Sequence, residues 1–418
     1  MTPSLQGLRS IGSFRRLELD PTARRLRGVA SVHDLRKIAR RRLPSGIFDY
    51  IDGGAGDERS LRENLDAYAS LAFQPRVLAG LETIETGTTV LGRPIAFPLV
   101  LAPAGLTRIA HPDGELAVAR AASRAGIPYA LSTLSATSIE DVARESDGSL
   151  WFQVYVWRDR GLVAELIARA ESARYEAIVL TVDTPVLGRR ERDIRHGLSL
   201  PPTIGLETVV DGMLHPGWTW SFLRSDPIRF ANIVGSSVDE GRDAVVLAEF
   251  TMRQFDHRLS WRDVEWLRSI WPRALVLKGI QTVEDAVLAA DAGVDAVILS
   301  NHGGRQLDDA PTPLSLVAPV TDALGGRVEV ICDGGIRRGS DIVKALALGA
   351  RACMAGRAYL YGLAAAGEQG VELALDLIVS ELRSTMALVG AASPDDLHRG
   401  LVRARPGSAS ASAARGGP

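Results

Sequence analysis

From residue 97 onward, short apolar runs rich in β-formers alternate with longer amphipathic, alanine-rich stretches, the pattern of repeated strand–helix units that build a parallel sheet. Eight such runs follow one another: FPLVLAPA (97–104), PYALST (128–133), LWFQVY (150–155), AIVLTVD (177–183), ALVLKGI (274–280), AVILSN (296–301), VEVICDGG (328–335) and ACMAGR (352–357). Eight units in order predict an α/β fold of the (β/α)8 TIM-barrel type rather than an open doubly wound sheet. No G-x-G-x-x-G turn follows the first run, which points away from a nicotinamide site.

Ahead of the barrel, SVHDLRKIARRRLPSGIFDYIDGGAGDE reads as a helix capped by Ser31 and a second short helix that stops at Gly53 and Gly54. The stretch TTVLGRPIAF reads as a hairpin closing the barrel bottom. Between the fourth and fifth runs, residues 188–260 are too long for a plain connection and form an insertion with a functional role. The chain therefore divides into an N-terminal arm (1–30), the barrel (31–400) and a low-complexity tail (401–418) expected to be disordered.

Composition narrows the function without naming it. The 418 residues carry a net charge of -2, which argues against a nucleic-acid partner. The two cysteines, Cys332 and Cys353, lie inside apolar runs and read as buried side chains, with no metal site implied. No segment reaches the ~18 to 20 apolar residues of a membrane span and no signal core follows the basic N-terminus, so the expectation is a cytoplasmic protein.

Polar residues gather at the C-terminal ends of the runs, the rim where such barrels build their sites: Gln153, Tyr155, Thr181, Asp183, Lys278, Ser300, His302, Asp333 and Arg357. His302, in SNHGGRQLD, is the side chain suited to accept a proton near neutral pH, and Asp183 offers a carboxylate to orient its ring. Arg305 and Arg190 suit a substrate carboxylate through planar two-pronged hydrogen bonding, and Tyr50 and Tyr155 could add phenolic donors. The segments DGGIRRGS and MAGRA, with Arg357, read as a phosphate site at helix N-termini. Lys278 needs an anion or an electron-rich ring beside it.

Taken together, FDYIDGGAGDE, LAPAGLTRIAHPDGE, WFQVYVWRDR, LTVDTPVLGRRERDIRHG, LVLKGI, SNHGGRQLD, DGGIRRGSD and AGRAYL resemble the FMN-dependent 2-hydroxy-acid dehydrogenases and oxidases, from about Ser31 to His398. The resemblance implies FMN as cofactor and oxidation of a small L-2-hydroxy acid, L-lactate by preference, to the 2-oxo acid. It makes His302 the base with Asp183 behind it, and gives the substrate to Arg190, Arg305, Tyr50 and Tyr155, with Leu134 at its side. It gives FMN to Ala102, Pro103, Ala104, Ser132, Gln153, Thr181, Lys278, Ser300, Asp333, Gly334, Gly335, Ile336, Arg337, Gly356 and Arg357.

Leu134 and Gly105 differ from the usual oxidase residues and resemble the dehydrogenase branch, whose electrons pass to a quinone or carrier protein. The alternative is an oxidase producing H2O2, and a phosphate-binding isomerase or synthase barrel stands further off. DGMLHPGWTWSFLRSDPIRFAN (211–232) resembles a membrane-docking segment, so peripheral contact with the inner face of the membrane is expected, against a folded lid with buried tryptophans. The resemblance also implies a homo-oligomer, a tetramer.

Overall fold

The computed structural model describes residues 19–197, 205–233 and 254–406. The outer parts of the arm and tail, and residues 198–204 and 234–253 of the insertion, lie outside the described residues.

All eight apolar runs become strands: β1 Leu99–Leu101, β2 Tyr129–Ser132, β3 Leu150–Val154, β4 Ala177–Thr181, β5 Ala274–Ile280, β6 Ala296–Leu299, β7 Glu329–Asp333 and β8 Ala352–Ala355. Each pairs in parallel with its sequence neighbour, and β8 pairs with β1, so the sheet closes into a barrel.

The two-residue period of a strand then sorts the side chains. Val100, Ala130, Trp151, Val179, Val276, Ile298, Ile331 and Met354 share one buried cluster inside the barrel. Their odd neighbours, such as Phe152, Leu180, Leu277 and Val297, pack outward against the helices. The hairpin of Thr88–Val90 and Arg93–Ile95 joins the inner cluster through Val90 and Ile95, and so plugs the barrel's N-terminal end.

The N-terminal helices form as read: Val32–Arg42 is capped by Ser31 Oγ, and Ser45–Asp52 ends at Gly53. Part of the arm is structured too, as a helix at Pro21–Leu26 whose Arg25 reaches the Ala365 carbonyl at 3.0 Å. The tail boundary at 401 falls too early. Leu401 is buried and Val402–Ala404 pairs antiparallel with Leu71–Phe73, because those apolar positions cover the barrel's flank.

Candidate active site

Two residues beyond the inner apolar layer, the same inward-facing positions become Ala102, Ser132, Gln153, Thr181, Lys278, Ser300, Asp333 and Gly356. They make the barrel's mouth polar just where its floor is apolar. Ser132 Oγ donates to Gln153 Oε1 at 3.3 Å, and Gln153 Nε2 donates to Thr181 Oγ1 at 3.0 Å. Lys278 Nζ lies 2.9 Å from Asp333 Oδ2 and donates to Ser300 Oγ at 3.0 Å, while Ser300 Oγ donates to Asp333 at 2.7 Å. Burial would push the Lys278 ammonium toward neutrality, but Asp333 and Asp183 hold its pKa above the ordinary value, so it is a fixed cation.

His302 enters from the turn after β6. Its backbone is left-handed (φ 57°), as are Gly303 (φ 64°) and Gly304 (φ 73°). A Cβ at Gly303 would sit 2.7 Å from the Arg357 guanidinium, and one at Gly304 2.5 Å from Leu61 N, so both positions need glycine. The non-glycine His302 in this conformation carries strain of order 1 to 3 kcal/mol, stored where a side chain must be aimed. Its amide donates to Ser300 Oγ at 3.0 Å, and its Nδ1 lies 3.0 Å from Asp183 Oδ1.

Asp183 is almost wholly buried behind the ring. Burial raises its carboxyl pKa, and the His302 ring and Lys278 overcome this, leaving it below the usual range. Space for it comes from Gly279, where β5 bulges: a Cβ there would stand 2.7 Å from Asp183 Cβ.

In the same cleft as His302, two guanidinium groups share one ring. Arg190 lies 5.4 Å and Arg305 5.2 Å from the centroid of Tyr50. Arg305 Nη1 donates to the Tyr50 carbonyl at 2.7 Å and to that of Gly53 at 3.2 Å, which fixes the planar group while it faces the cleft. Burial, then Arg190 and Arg357, push the Arg305 pKa down to about 9. Two cations lining one cleft suit an anion. Tyr155 completes the wall, its ring 5.1 Å from that of Phe255, and burial with the nearby Asp183 raises its phenol pKa.

The segments expected to form the phosphate end, residues 333–337 with Gly356 and Arg357, all line the cleft. Just ahead of the helix after β7 (Gly339–Leu348), Asp341 Oδ2 accepts from Arg337 N and Arg338 N at 2.9 and 3.0 Å, and Gly339 N donates to Glu381 Oε2 at 3.3 Å. The helix after β8 opens at Gly356 and Arg357, on the cleft. Arg357 donates to the carbonyls of Ile51, Gly303 and Gly53 at 3.0, 2.8 and 2.7 Å, so it ties the N-terminal helices to the His302 turn. Arg337 forms no ion pair among the described residues and donates to the Ile336 carbonyl at 2.8 Å, which leaves it the cation suited to a phosphate.

Leu134 and Gly105 prove to be one feature. A Cβ at Gly105 would lie 3.2 Å from Leu134 Cβ, so the first and second strand loops meet there. One cleft of about 1420 Å³, counting its open mouth, is lined by nearly all the expected residues; Asp183 and Ser300 stand behind the wall. The donor set suits a flavin nucleotide: a buried cation among hydroxyl and amide groups, then a glycine-rich rim ending at Arg337.

The family model described as FMN-dependent dehydrogenase matches residues 39–404. The chain belongs to this family, and its cofactor is FMN. An L-lactate dehydrogenase of Caulobacter vibrioides is 43% identical over 363 residues, 87% of this chain and 94% of the relative. A peroxisomal (S)-2-hydroxyacid oxidase of Arabidopsis thaliana is 40% identical over 375 residues, 90% of this chain and 96% of the relative. Among solved structures, the monotopic membrane protein (S)-mandelate dehydrogenase superposes with a TM-score of 0.87 at 41% identity, covering 91% of this chain and 100% of that one. The family sets aside the isomerase or synthase reading.

Sequence reasoning missed three contributors. Gln306 Nε2 donates to the carbonyls of Asp183 and Val186, both at 3.0 Å, and so holds the loop after β4 against the His302 turn. Phe255 arrives from the far end of the insertion, and Leu187 from its start. The motif SNHGGRQ does contain Gln306, but nothing local says that it reaches across the barrel mouth.

Proposed function

We propose that this enzyme oxidises an L-2-hydroxy acid, L-lactate being the first to test, to the corresponding 2-oxo acid. FMN accepts the two electrons when bound. The observation that carries the reading is that His302, backed by Asp183, lines one cleft with Arg190 and Arg305. Arg190 and Arg305 would hold the substrate carboxylate, and Tyr50 and Tyr155 would hold its hydroxyl. His302 Nε2 would take the substrate proton, from the hydroxyl or the α-carbon, with Asp183 stabilising the charge that forms on the ring. Lys278 would set its charge against the flavin's N1 and carbonyl edge. The hydroxyl and amide layer from Ala102 to Ser300 would line the ring and ribityl chain, with Asp333 to Arg337, Gly356 and Arg357 at the ribityl and phosphate end.

We assign the electrons to a quinone or carrier protein rather than O2, on the resemblance of Gly105 and Leu134 to the dehydrogenase branch. A tetrameric homo-oligomer rests on the family resemblance alone, and sedimentation of the purified protein tests it. Anaerobic mixing with L-lactate, followed by air, tests the function. Rapid bleaching of the flavin with slow recolouring supports a dehydrogenase, rapid recolouring with peroxide makes it an oxidase, and no bleaching overturns the lactate assignment.

The insertion supports a second element, contact with a membrane surface. Its helices Leu206–Leu214 and Pro216–Arg224 sit on the barrel through Asp211, which accepts from Ser45 N at 2.6 Å, and Trp218, whose Nε1 donates to the Ile109 carbonyl at 2.8 Å. Trp218 and Phe222 stack at 4.8 Å, while Leu206, Met213, Leu214, Trp220 and Leu223 are exposed, with Arg224 over the Trp220 ring. One face is thus seated as a lid would be, and the other suits a bilayer interface. No described helix is long and apolar enough to cross a membrane.

A further inference from the structure

Behind the guanidinium pair stands a carboxylate that the proposed reaction does not use. Arg190 caps the short helix Glu191–Arg195, which places Asp193 one turn further along with its Oδ2 3.3 Å from Arg190 Nε. Asp193 is buried, and its Oδ2 has no hydrogen-bond partner among the described residues. A carboxylate placed so costs stability unless a charge compensates it.

The neighbouring cations are committed elsewhere. Arg192 pairs with Asp49 and Asp52 at 3.2 and 3.3 Å and with Glu58, and His196 Nε2 lies 3.0 Å from Asp49. Arg305 is held by two backbone carbonyls. Among the described residues Arg190 is the one ion-pair partner of Asp193. Burial raises the Asp193 carboxyl pKa above the ordinary value, and Arg190 and Arg305 pull against that rise.

We propose that Asp193 is a built-in counter-ion for the substrate-carboxylate site, neutralising Arg190 in the empty enzyme and opposing every carboxylate that enters. The inference rests on the reading that Arg190 and Arg305 hold the substrate carboxylate. Asp193 does not line the cleft, so it is a positioning residue. Substrate and 2-oxo acid product both carry a carboxylate, and an internal rival weakens both, which sets affinity and speeds release of product. A purely structural role, in which Asp193 only orients Arg190, makes the opposite prediction for its removal.

The test uses the full-length FMN-loaded protein and oxalate, a carboxylate probe, titrated by its perturbation of the flavin absorbance. D193N keeps a carbonyl that can accept from Arg190 Nε but removes the charge. Oxalate should bind about fivefold to tenfold more tightly in D193N, and KM for the hydroxy acid should fall by more than kcat moves. Unchanged or weaker oxalate binding overturns the proposal. If D193N does not fold with flavin, Asp193→Ser takes its place under the same criterion. Arg190→Met is the control: if it leaves oxalate binding unchanged, the carboxylate reading itself falls. If it weakens oxalate and D193N does not tighten it, the counter-ion alone falls.

Discussion

His302 Nδ1 and Asp183 Oδ1 stand 3.0 Å apart although 119 residues separate them in the chain. The ring comes from the turn after β6 and the carboxylate from the end of β4, with β5 between them. A carboxylate at Nδ1 favours the tautomer protonated there, which in the proposed reaction leaves Nε2 to accept the proton. Asp183→Asn replaces the charge by an amide, so FMN should stay bound while its reduction by substrate slows about 10²- to 10⁴-fold. Anaerobic stopped-flow of the flavin band checks this, and a rate near that of the unaltered enzyme would remove Asp183 from the mechanism.

Arg305→Lys keeps the charge but loses the planar pair of donors. Its KM should rise about tenfold or more, with a smaller change in kcat, because in the proposed reaction the lost contact holds the substrate carboxylate both before and during reaction. Steady-state kinetics at fixed acceptor concentration separate the two. Unchanged saturation would show that the carboxylate binds elsewhere.

Stability at acid pH should report on Asp52. Burial raises its carboxyl pKa, and hydrogen bonds from Arg36 (2.6 and 2.8 Å) and Tyr361 (2.7 Å) overcome that, lowering it from 3.8 to about 2. A depressed folded-state pKa stabilises the fold above the unfolded value, and the contribution disappears as pH falls from about 4 toward 2, an amount of about 2 kcal/mol. Asp52→Asn should flatten the dependence of unfolding free energy on pH across that window. Denaturant titrations at several pH values measure it, and an unaltered slope would contradict the assignment.

The outer face of the insertion should be separable from catalysis. Trp220→Ser with Leu223→Ser removes two exposed side chains that the barrel does not bury, 60% and 72% exposed. Co-sedimentation with phospholipid vesicles should drop several-fold, since bound apolar area drives such docking. Turnover with a water-soluble acceptor should stay within about twofold, because these side chains do not line the cleft. Equal vesicle binding by both proteins would end the membrane reading.

Much of this was legible before folding. Strand runs are local: their apolar period, their length and the glycine after them all lie within a few residues, so all eight strands could be read in order. The polar residue two places beyond each inner apolar one follows from the same period, which is why Gln153, Thr181, Lys278 and Asp333 were found together. Glycines were less transparent. Gly303 and Gly304 looked like a turn, and the structure adds that Arg357 and Leu61 pack where their side chains would be.

The sequence by itself determined the barrel, through its strand period, and the family and its FMN cofactor, through its motifs, because neither needs a spatial partner to be recognised. Only the tertiary structure decided which side chains meet. From sequence Arg357 reads only as a phosphate ligand, and the structure adds that it also donates to three backbone carbonyls and so ties the N-terminal helices to the His302 turn. Asp341 accepted from the amides of Arg337 and Arg338, Gln306 reached the Asp183 carbonyl, and Asp193 came to rest against Arg190. Those outcomes depend on closing the barrel, which brings loops from distant strands onto one rim, and no local pattern specifies which donor reaches which acceptor first.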